Sequence, residues 1–169
     1  MLSAIQQNPH FLSLIEIIDS GSEIKSLGLI RPVRIPMVAA LKTTIERPII
    51  VIVERMDQAI AFSDEIGFWM RAEDVLLFPE PSPTFYEKAA WGSLTRRDRL
   101  QTLTYLANYH LPNSKKNDPK VIITTVRGLM TRTIPLHRLG RCYSYSCPKE
   151  KSFYLQIRLH TYCSLHGCQ

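Results

Sequence analysis

Three short, mainly apolar runs alternate with segments of helical periodicity, and this alternation constrains the fold more than any other feature. The runs cover residues 48–53, 74–78 and 120–125. Continuous runs of this length are typical of strands buried on both faces of a parallel sheet. Helical spacing is found in the segments around them, which are residues 9–19, 34–44, 56–70, 91–109 and 126–131. The sequence therefore predicts an α/β fold, a parallel sheet flanked by helices.

The length and composition fit one globular domain. The chain has 169 residues, of which 45% are hydrophobic and 21% are charged, and this suffices for one core. No apolar run approaches the roughly twenty residues of a membrane-spanning helix, and the first residues lack the pattern of a secretory signal. We therefore expect a cytoplasmic protein without a membrane partner. The net charge of +6 fits contact with nucleic acid or an acidic partner.

Residues 28–35 stand where the first strand of a doubly wound sheet would turn into its helix, the place where such folds bind phosphates. A working phosphate loop has the form G-x-x-x-x-G-K-[ST]. Gly28 matches the first glycine of this pattern. Val33, Arg34 and Ile35 stand at the second glycine, the lysine and the hydroxyl residue.

These replacements predict a vestigial phosphate loop. Valine disfavours the backbone conformations and the close approach that glycine permits, and isoleucine has no oxygen for magnesium. Arginine keeps the charge of lysine without its compact geometry. We therefore expect no nucleotide hydrolysis, no catalytic residue and no cofactor at a loop whose key positions are Gly28, Arg31, Val33, Arg34 and Ile35. Two alternatives are left for this loop, which are weak phosphate binding through Arg31 and Arg34 and a purely structural role.

The densest basic group lies in the predicted helix over residues 91–109. Arg96, Arg97 and Arg99 fall within four consecutive positions. Arginines grouped in this way can contact the phosphates of DNA, so these three are candidates for nucleic-acid binding. The alternative is a solvated helix face.

Six segments form an ordered series over roughly residues 20–140. The strand at residues 75–79 leads to a proline–tyrosine segment at 83–87, and an arginine–leucine helix follows at 97–103. The other segments are residues 26–29, 47–53 and 121–130. In order and spacing, the series resembles the N-terminal UvrB-like region of the bacterial transcription–repair coupling factor.

The resemblance implies a P-loop-NTPase-like, helicase-type domain with a degenerate phosphate loop, incomplete and spanning residues 1–140. It implies a role in transcription-coupled nucleotide-excision DNA repair, with the repair machinery or DNA as partner. In that family the UvrA-binding domain, the polymerase-binding module and the ATP-driven translocase follow the matched region, and none of them is found in this sequence. We therefore expect a truncated, non-catalytic fragment that acts through protein or DNA contact. The alternatives are an ATP-dependent helicase-type protein and a zinc-stapled nucleic-acid-binding module.

The zinc alternative depends on residues 141–169, where all the cysteines of the chain lie in a C-x4-C-x15-C-x4-C pattern. Four thiolates at such spacing could hold a structural zinc ion. The abrupt change in composition instead predicts an out-of-frame or disordered tail. The four residues concerned are Cys142, Cys147, Cys163 and Cys168.

A sheet that lacks its remaining strands would also leave an apolar edge open, which predicts self-association.

Overall fold

The predicted alternation of helices and strands is present in a computed structural model, which describes residues 2–81, 91–110, 118–131 and 133. A single 3-10 turn, Ala72–Asp74, precedes the second strand. The elements in chain order are α1 (Leu2–Gln6), α2 (Pro9–Asp19), α3 (Arg31–Thr44), β1 (Ile49–Val53), α4 (Met56–Ile66), β2 (Val75–Phe78), α5 (Ser93–His110), β3 (Val121–Thr125) and α6 (Val126–Met130).

The three strands form one parallel sheet in the order β1-β3-β2. Ile49 of β1 and Val75 of β2 are both registered on Val121 of β3. β3 is therefore central, and all its residues are buried. The α/β class, with a parallel sheet flanked by helices, is confirmed.

The apolar sequence of β1 predicts a strand buried on both faces, but one face of β1 is exposed. The side chains of Ile50 and Ile52 are 45% and 47% exposed. Ile49, Val51 and Val53 alternate with them and pack against the core. The prediction was wrong because an apolar run does not reveal whether a strand lies at the centre of a sheet or at its edge. The pairing order decides that.

Each face of the sheet packs against its own set of helices. One face meets α3 and α4, and its fully buried residues are Ala59, Ile66, Val121 and Ile123. The other face meets α5 and Leu129 of α6, and its buried residues are Leu76, Phe78, Tyr105 and Ile122. Helices on both faces of a parallel sheet make a doubly wound arrangement.

α3 begins at Arg31, three residues before the predicted start. Pro32 lies in its first turn. The N–H groups of a first turn have no acceptor within the helix, so a proline there costs no hydrogen bond. A helix that began at Arg34, as the sequence pattern predicts, would have Pro36 in its first turn, but Pro36 is buried inside the helix. The sequence contains two prolines that could mark a helix start, and the prediction chose the second.

The buried side of α5 differs in part from what the sequence pattern predicts. In that pattern the apolar stripe of the helix consists of Leu94, Leu100, Leu103, Leu106 and Ala107. Leu94 and Leu100 are 70% and 43% exposed. Arg99, Thr102 and Tyr105 are buried in their place. These three residues follow one another at a spacing of three, so they lie along one side of the helix. The prediction holds for Leu103, Leu106 and Ala107, which pack against the core or are buried. It was wrong for Leu94 and Leu100 because it assigned burial by apolarity alone.

A buried carboxylate joins the end of α3 to the start of β2. Asp74 Oδ2 accepts from Lys42 Nζ at 2.9 Å and from Arg71 Nε at 3.2 Å. Burial alone would raise the pKa of Asp74, but the hydrogen bonds and charges of Lys42 and Arg71 outweigh it and lower the pKa. This contact places the end of α3 at the amino edge of the sheet.

Several sequence predictions fall on residues that the structure does not describe. They are the proline–tyrosine segment at 83–87, the domain boundary at 140 and the cysteine pattern of residues 141–169. Within the described ranges, no helix is long and apolar enough to cross a membrane.

Candidate nucleic-acid interface

The carboxyl edge of the sheet, where β1, β2 and β3 end at Val53, Phe78 and Thr125, is where a doubly wound fold presents a binding surface. The chain leaves β1 for α4 on one face and leaves β3 for α6 on the other. Connections that diverge from neighbouring strands open a crevice at their carboxyl ends, and ligands of open α/β sheets bind there. In this chain the crevice lies between the ends of β1 and β3.

Buried threonines organise the end of β3. Thr124 Oγ1 donates to the carbonyl oxygen of Phe78 at 2.9 Å. Thr125 Oγ1 donates to Glu80 Oε2 at 3.0 Å and accepts from the Gly128 N–H at 3.0 Å. The second threonine therefore caps α6 and holds a carboxylate of the neighbouring loop. These bonds fix the ends of β2 and β3 relative to each other.

Arg99 lies inside this edge. Its Nη1 donates to the carbonyl oxygens of Pro79 at 2.8 Å and Gly128 at 3.2 Å. Its guanidinium carbon is 4.0 Å from the ring centre of Phe78 and 5.1 Å from that of Trp91. Burial lowers the pKa of this arginine, although an arginine stays protonated in proteins.

This geometry gives Arg99 a structural role and removes it from the DNA-binding candidates. The side chain is 2% exposed, so no phosphate outside the protein reaches it. Its charge is stabilised by two aromatic rings and two carbonyl groups instead. Its Nη2 has no hydrogen-bond partner among the described residues.

Arg96 and Arg97 do lie on the surface. Both side chains are exposed, and both belong to the start of α5. Because Arg99 of the same helix contacts Pro79, directly after β2, this start is at the carboxyl edge. The first turn of α5 contains no acidic residue. The positive end of the helix dipole and the two arginines therefore add to one positive potential.

Two further arginines flank the crevice, each beside a carboxylate. Arg55 caps the start of α4, is exposed and pairs with Asp57 at 3.0 Å. Arg127 of α6 lies 3.9 Å from Glu80 Oε1. These pairs reduce the local positive charge, so Arg96 and Arg97 are the stronger anion-binding candidates at this edge.

The predicted phosphate loop is not the strand-to-helix turn that the sequence analysis assumed. Gly28 adopts a positive φ of 58°, as a loop glycine can. Residues 22–30 form neither strand nor helix, so the loop does not follow a strand of the sheet as the prediction assumed. Working phosphate loops connect a strand to a helix.

Three of the backbone positions in this loop offer no free N–H. The N–H of Gly28 donates to Ser26 Oγ at 3.3 Å, and the N–H of Val33 donates to the Ile30 carbonyl oxygen at 3.1 Å. Pro32 has no N–H. A nest of free amides around a phosphate is therefore not present at these positions.

The side chains of the loop are divided between the core and the surface. Ile35 packs against the core beneath α4, and Val33 is half-buried. Arg34 is exposed and its Nε donates to the Leu29 carbonyl oxygen at 3.3 Å. Arg31 is exposed. Of the five predicted loop residues, only the two arginines remain available to an anion.

Sequence reasoning missed the polar residues that hold the carboxyl edge together. Thr124 and Thr125 end an apolar strand, and Glu80 follows another strand by two positions. Polar residues directly after buried strands were the signal, because the carboxyl ends of parallel strands meet at one edge. The described residues contain no group of three or more His, Cys, Asp or Glu placed to hold a metal ion.

The fold and this edge define an α/β domain with a parallel sheet and exposed arginines at its carboxyl edge. No protein-family model and no curated protein matches the chain. The functional assignment therefore rests on the residues of this chain.

Proposed function

We propose that this chain is a non-catalytic, P-loop-NTPase-like domain related to the first domain of the transcription–repair coupling factor. It would serve transcription-coupled nucleotide-excision repair in the cytoplasm. It would act by contact with DNA or with the repair machinery, through the carboxyl edge of its sheet, and it would turn over no nucleotide.

The observation that carries the proposal is the set of contacts around Arg99. This arginine belongs to the arginine–leucine helix of the resemblance. Its two carbonyl partners, Pro79 and Gly128, belong to two other segments of the same resemblance. Three segments that were matched separately in sequence therefore meet at one buried charge. That meeting supports the interpretation of these three segments as parts of one domain.

The absence of catalysis is supported by the loop at residues 28–35. Val33 and Ile35 lack the groups that a phosphate and its magnesium ion require. The Val33 N–H is bonded within the loop, and Pro32 has none. The ATP-dependent alternative would need these amides and a hydroxyl at position 35.

DNA contact is supported by the exposure of Arg96 and Arg97 at a helix start without acidic residues. Two exposed arginines on one helix can each neutralise a backbone phosphate without reading bases. We therefore expect binding that is independent of sequence and weakened by salt.

The proposal is tested by incubating the full chain with ATP, magnesium and duplex DNA. We expect duplex binding in low salt and phosphate release no greater than in a protein-free blank. Phosphate release that disappears in Arg34→Ala would contradict the non-catalytic assignment and support the helicase-type alternative. Stoichiometric zinc that is lost in Cys142→Ser, together with lost DNA binding, would support the zinc-stapled alternative.

A further inference from the structure

β1 has one paired edge and one open edge. Its Ile49 N–H donates to the Lys120 carbonyl oxygen at 3.0 Å, and the parallel register continues to Val53. In this register the peptide groups of alternate residues, from Ile49 onward, point toward β3. The N–H and C=O groups of Ile50 and Ile52 therefore point away from the sheet. None of the described residues gives these groups a hydrogen bond.

This open edge lacks the features that protect edge strands from pairing. The strand Ile49–Val53 consists of five β-branched apolar residues and includes no charge, proline or glycine. Natural edge strands usually include such residues, or a bulge, to prevent pairing with another chain. The side chains of Ile50 and Ile52 are also nearly half exposed on one face of the sheet.

We propose that β1 pairs with β1 of a second copy of this chain, in antiparallel orientation about a two-fold axis through Val51. In that register Ile50 lies opposite Ile52 of the second copy, and Ile52 opposite Ile50. Both pairs exchange two hydrogen bonds, so all the outward groups of the strand are used. The product is a continuous sheet of six strands.

The side chains support this register. Ile50 and Ile52 share one face, so each would meet an isoleucine of the second copy at cross-strand contact distance. Sliding the strand so that Ile50 meets Ile50 would place Ile52 opposite Pro48, which has no N–H to donate. Sliding it the other way would place Ile50 opposite Glu54. The proposed register is therefore the one that brings both isoleucines of each copy opposite an isoleucine.

The arginines on either side of β1 do not prevent the pairing of two β1 strands. Arg47 would lie opposite Arg55 of the second copy. Each arginine already pairs within its own chain, Arg47 with Asp19 at 2.8 Å and Arg55 with Asp57 at 3.0 Å. The like charges are therefore neutralised before the two copies meet.

The small size of the contact sets its strength. Stable interfaces bury at least about 1,200 Å², and two five-residue strands with four exposed isoleucines cover less. We therefore expect a reversible dimer that forms as concentration rises.

Sedimentation velocity of the full chain, in reductant to keep its cysteines apart, tests the proposal. We expect a concentration-dependent monomer–dimer equilibrium. Ile50→Lys adds a charge at the contact, and Ile52→Pro removes an outward donor without touching the bonds to β3. Each should raise the dimer dissociation constant roughly tenfold or more. The matched control is Phe68→Lys, since Phe68 is 89% exposed and lies outside the sheet, and it should leave the constant unchanged.

Amide hydrogen exchange of the unaltered chain provides a second reading that does not depend on the folding of any variant. The Ile50 and Ile52 amides should become more protected as concentration rises. A monomer at every concentration, or a dimer in which these amides gain no protection, would overturn the proposal. A dimer that resists both edge variants would overturn it as well.

Discussion

The Nη1 atom of Arg99 lies 2.8 Å from the carbonyl oxygen of Pro79, and this contact ties the start of α5 to the end of β2. The same atom also donates to the Gly128 carbonyl oxygen in α6. One buried cation thus joins a helix to two segments at the carboxyl edge. The exposed Arg96 and Arg97 owe their position at that edge to this contact, since they precede Arg99 in the same helix.

Replacing Arg99 by lysine should destabilise the domain. Lysine keeps the charge, but it has neither the planar fork that reaches two carbonyls nor the flat face that stacks on Phe78. We expect a loss of about 1–3 kcal/mol in the free energy of unfolding, measured by urea denaturation. Arg97→Lys is the matched control, and it should change stability by less than about 0.5 kcal/mol because its side chain is exposed. Equal effects of the two substitutions would contradict the structural role of Arg99.

Asp74 should make stability depend on pH. Its folded pKa lies below the ordinary value of 3.8. Its contribution is therefore fully present above the unfolded pKa, and it is lost as pH falls from about that value through the lower folded pKa. We expect Asp74→Asn to lower the free energy of unfolding by about 1.5–3 kcal/mol at neutral pH and to flatten its decline in acid.

The control for Asp74 is Asp57→Asn, which removes a carboxylate from an exposed ion pair. Such pairs contribute about 0–1 kcal/mol. If the two variants gave the same acid unfolding curve as the unaltered chain, the buried carboxylate would not be the group that links α3 to β2.

Gly128→Ala tests the close packing at the start of α6. A Cβ at this position would lie 2.8 Å from Thr124 Oγ1 and 3.2 Å from the Phe78 carbonyl oxygen. Alanine favours a helix over glycine by about 1 kcal/mol, but overpacking costs about 1–3 kcal/mol, so we expect net destabilisation in thermal unfolding. Gly92→Ala, whose nearest neighbouring atom would be 3.9 Å away, should not destabilise. A Gly128→Ala variant that is more stable than the unaltered chain would contradict the close packing, because Thr124 and Thr125 would then have moved to make room for the methyl group.

The existence of the strands could be predicted from the sequence, but their position in the sheet could not. The run from Ile49 to Val53 is entirely apolar, yet it forms an edge strand. The run from Val121 to Thr125 ends in two threonines, yet it forms the central, fully buried strand. Pairing order depends on contacts between residues about seventy positions apart, and no local pattern encodes it. This is why β1 was predicted to be buried on both faces.

The candidate site was predictable only in part. The replacements at Val33 and Ile35 are visible in the sequence. The contrast between Arg97 and Arg99 is not, because both belong to one basic run. Burial of a charge requires partners from elsewhere in the chain, here Pro79, Gly128 and two aromatic rings. Only the assembled structure separates the exposed arginines from the buried one.

The most direct test of DNA contact at the carboxyl edge is the salt dependence of duplex binding, followed by fluorescence anisotropy. Arg96→Ala and Arg97→Ala should each weaken binding and lower the slope of log K against log salt by about one phosphate contact. Arg47→Ala removes the same charge before β1, at the opposite edge of the sheet, and should leave the slope unchanged. Equal slopes in all three variants, or no binding in low salt, would contradict the assignment of this edge as a nucleic-acid interface.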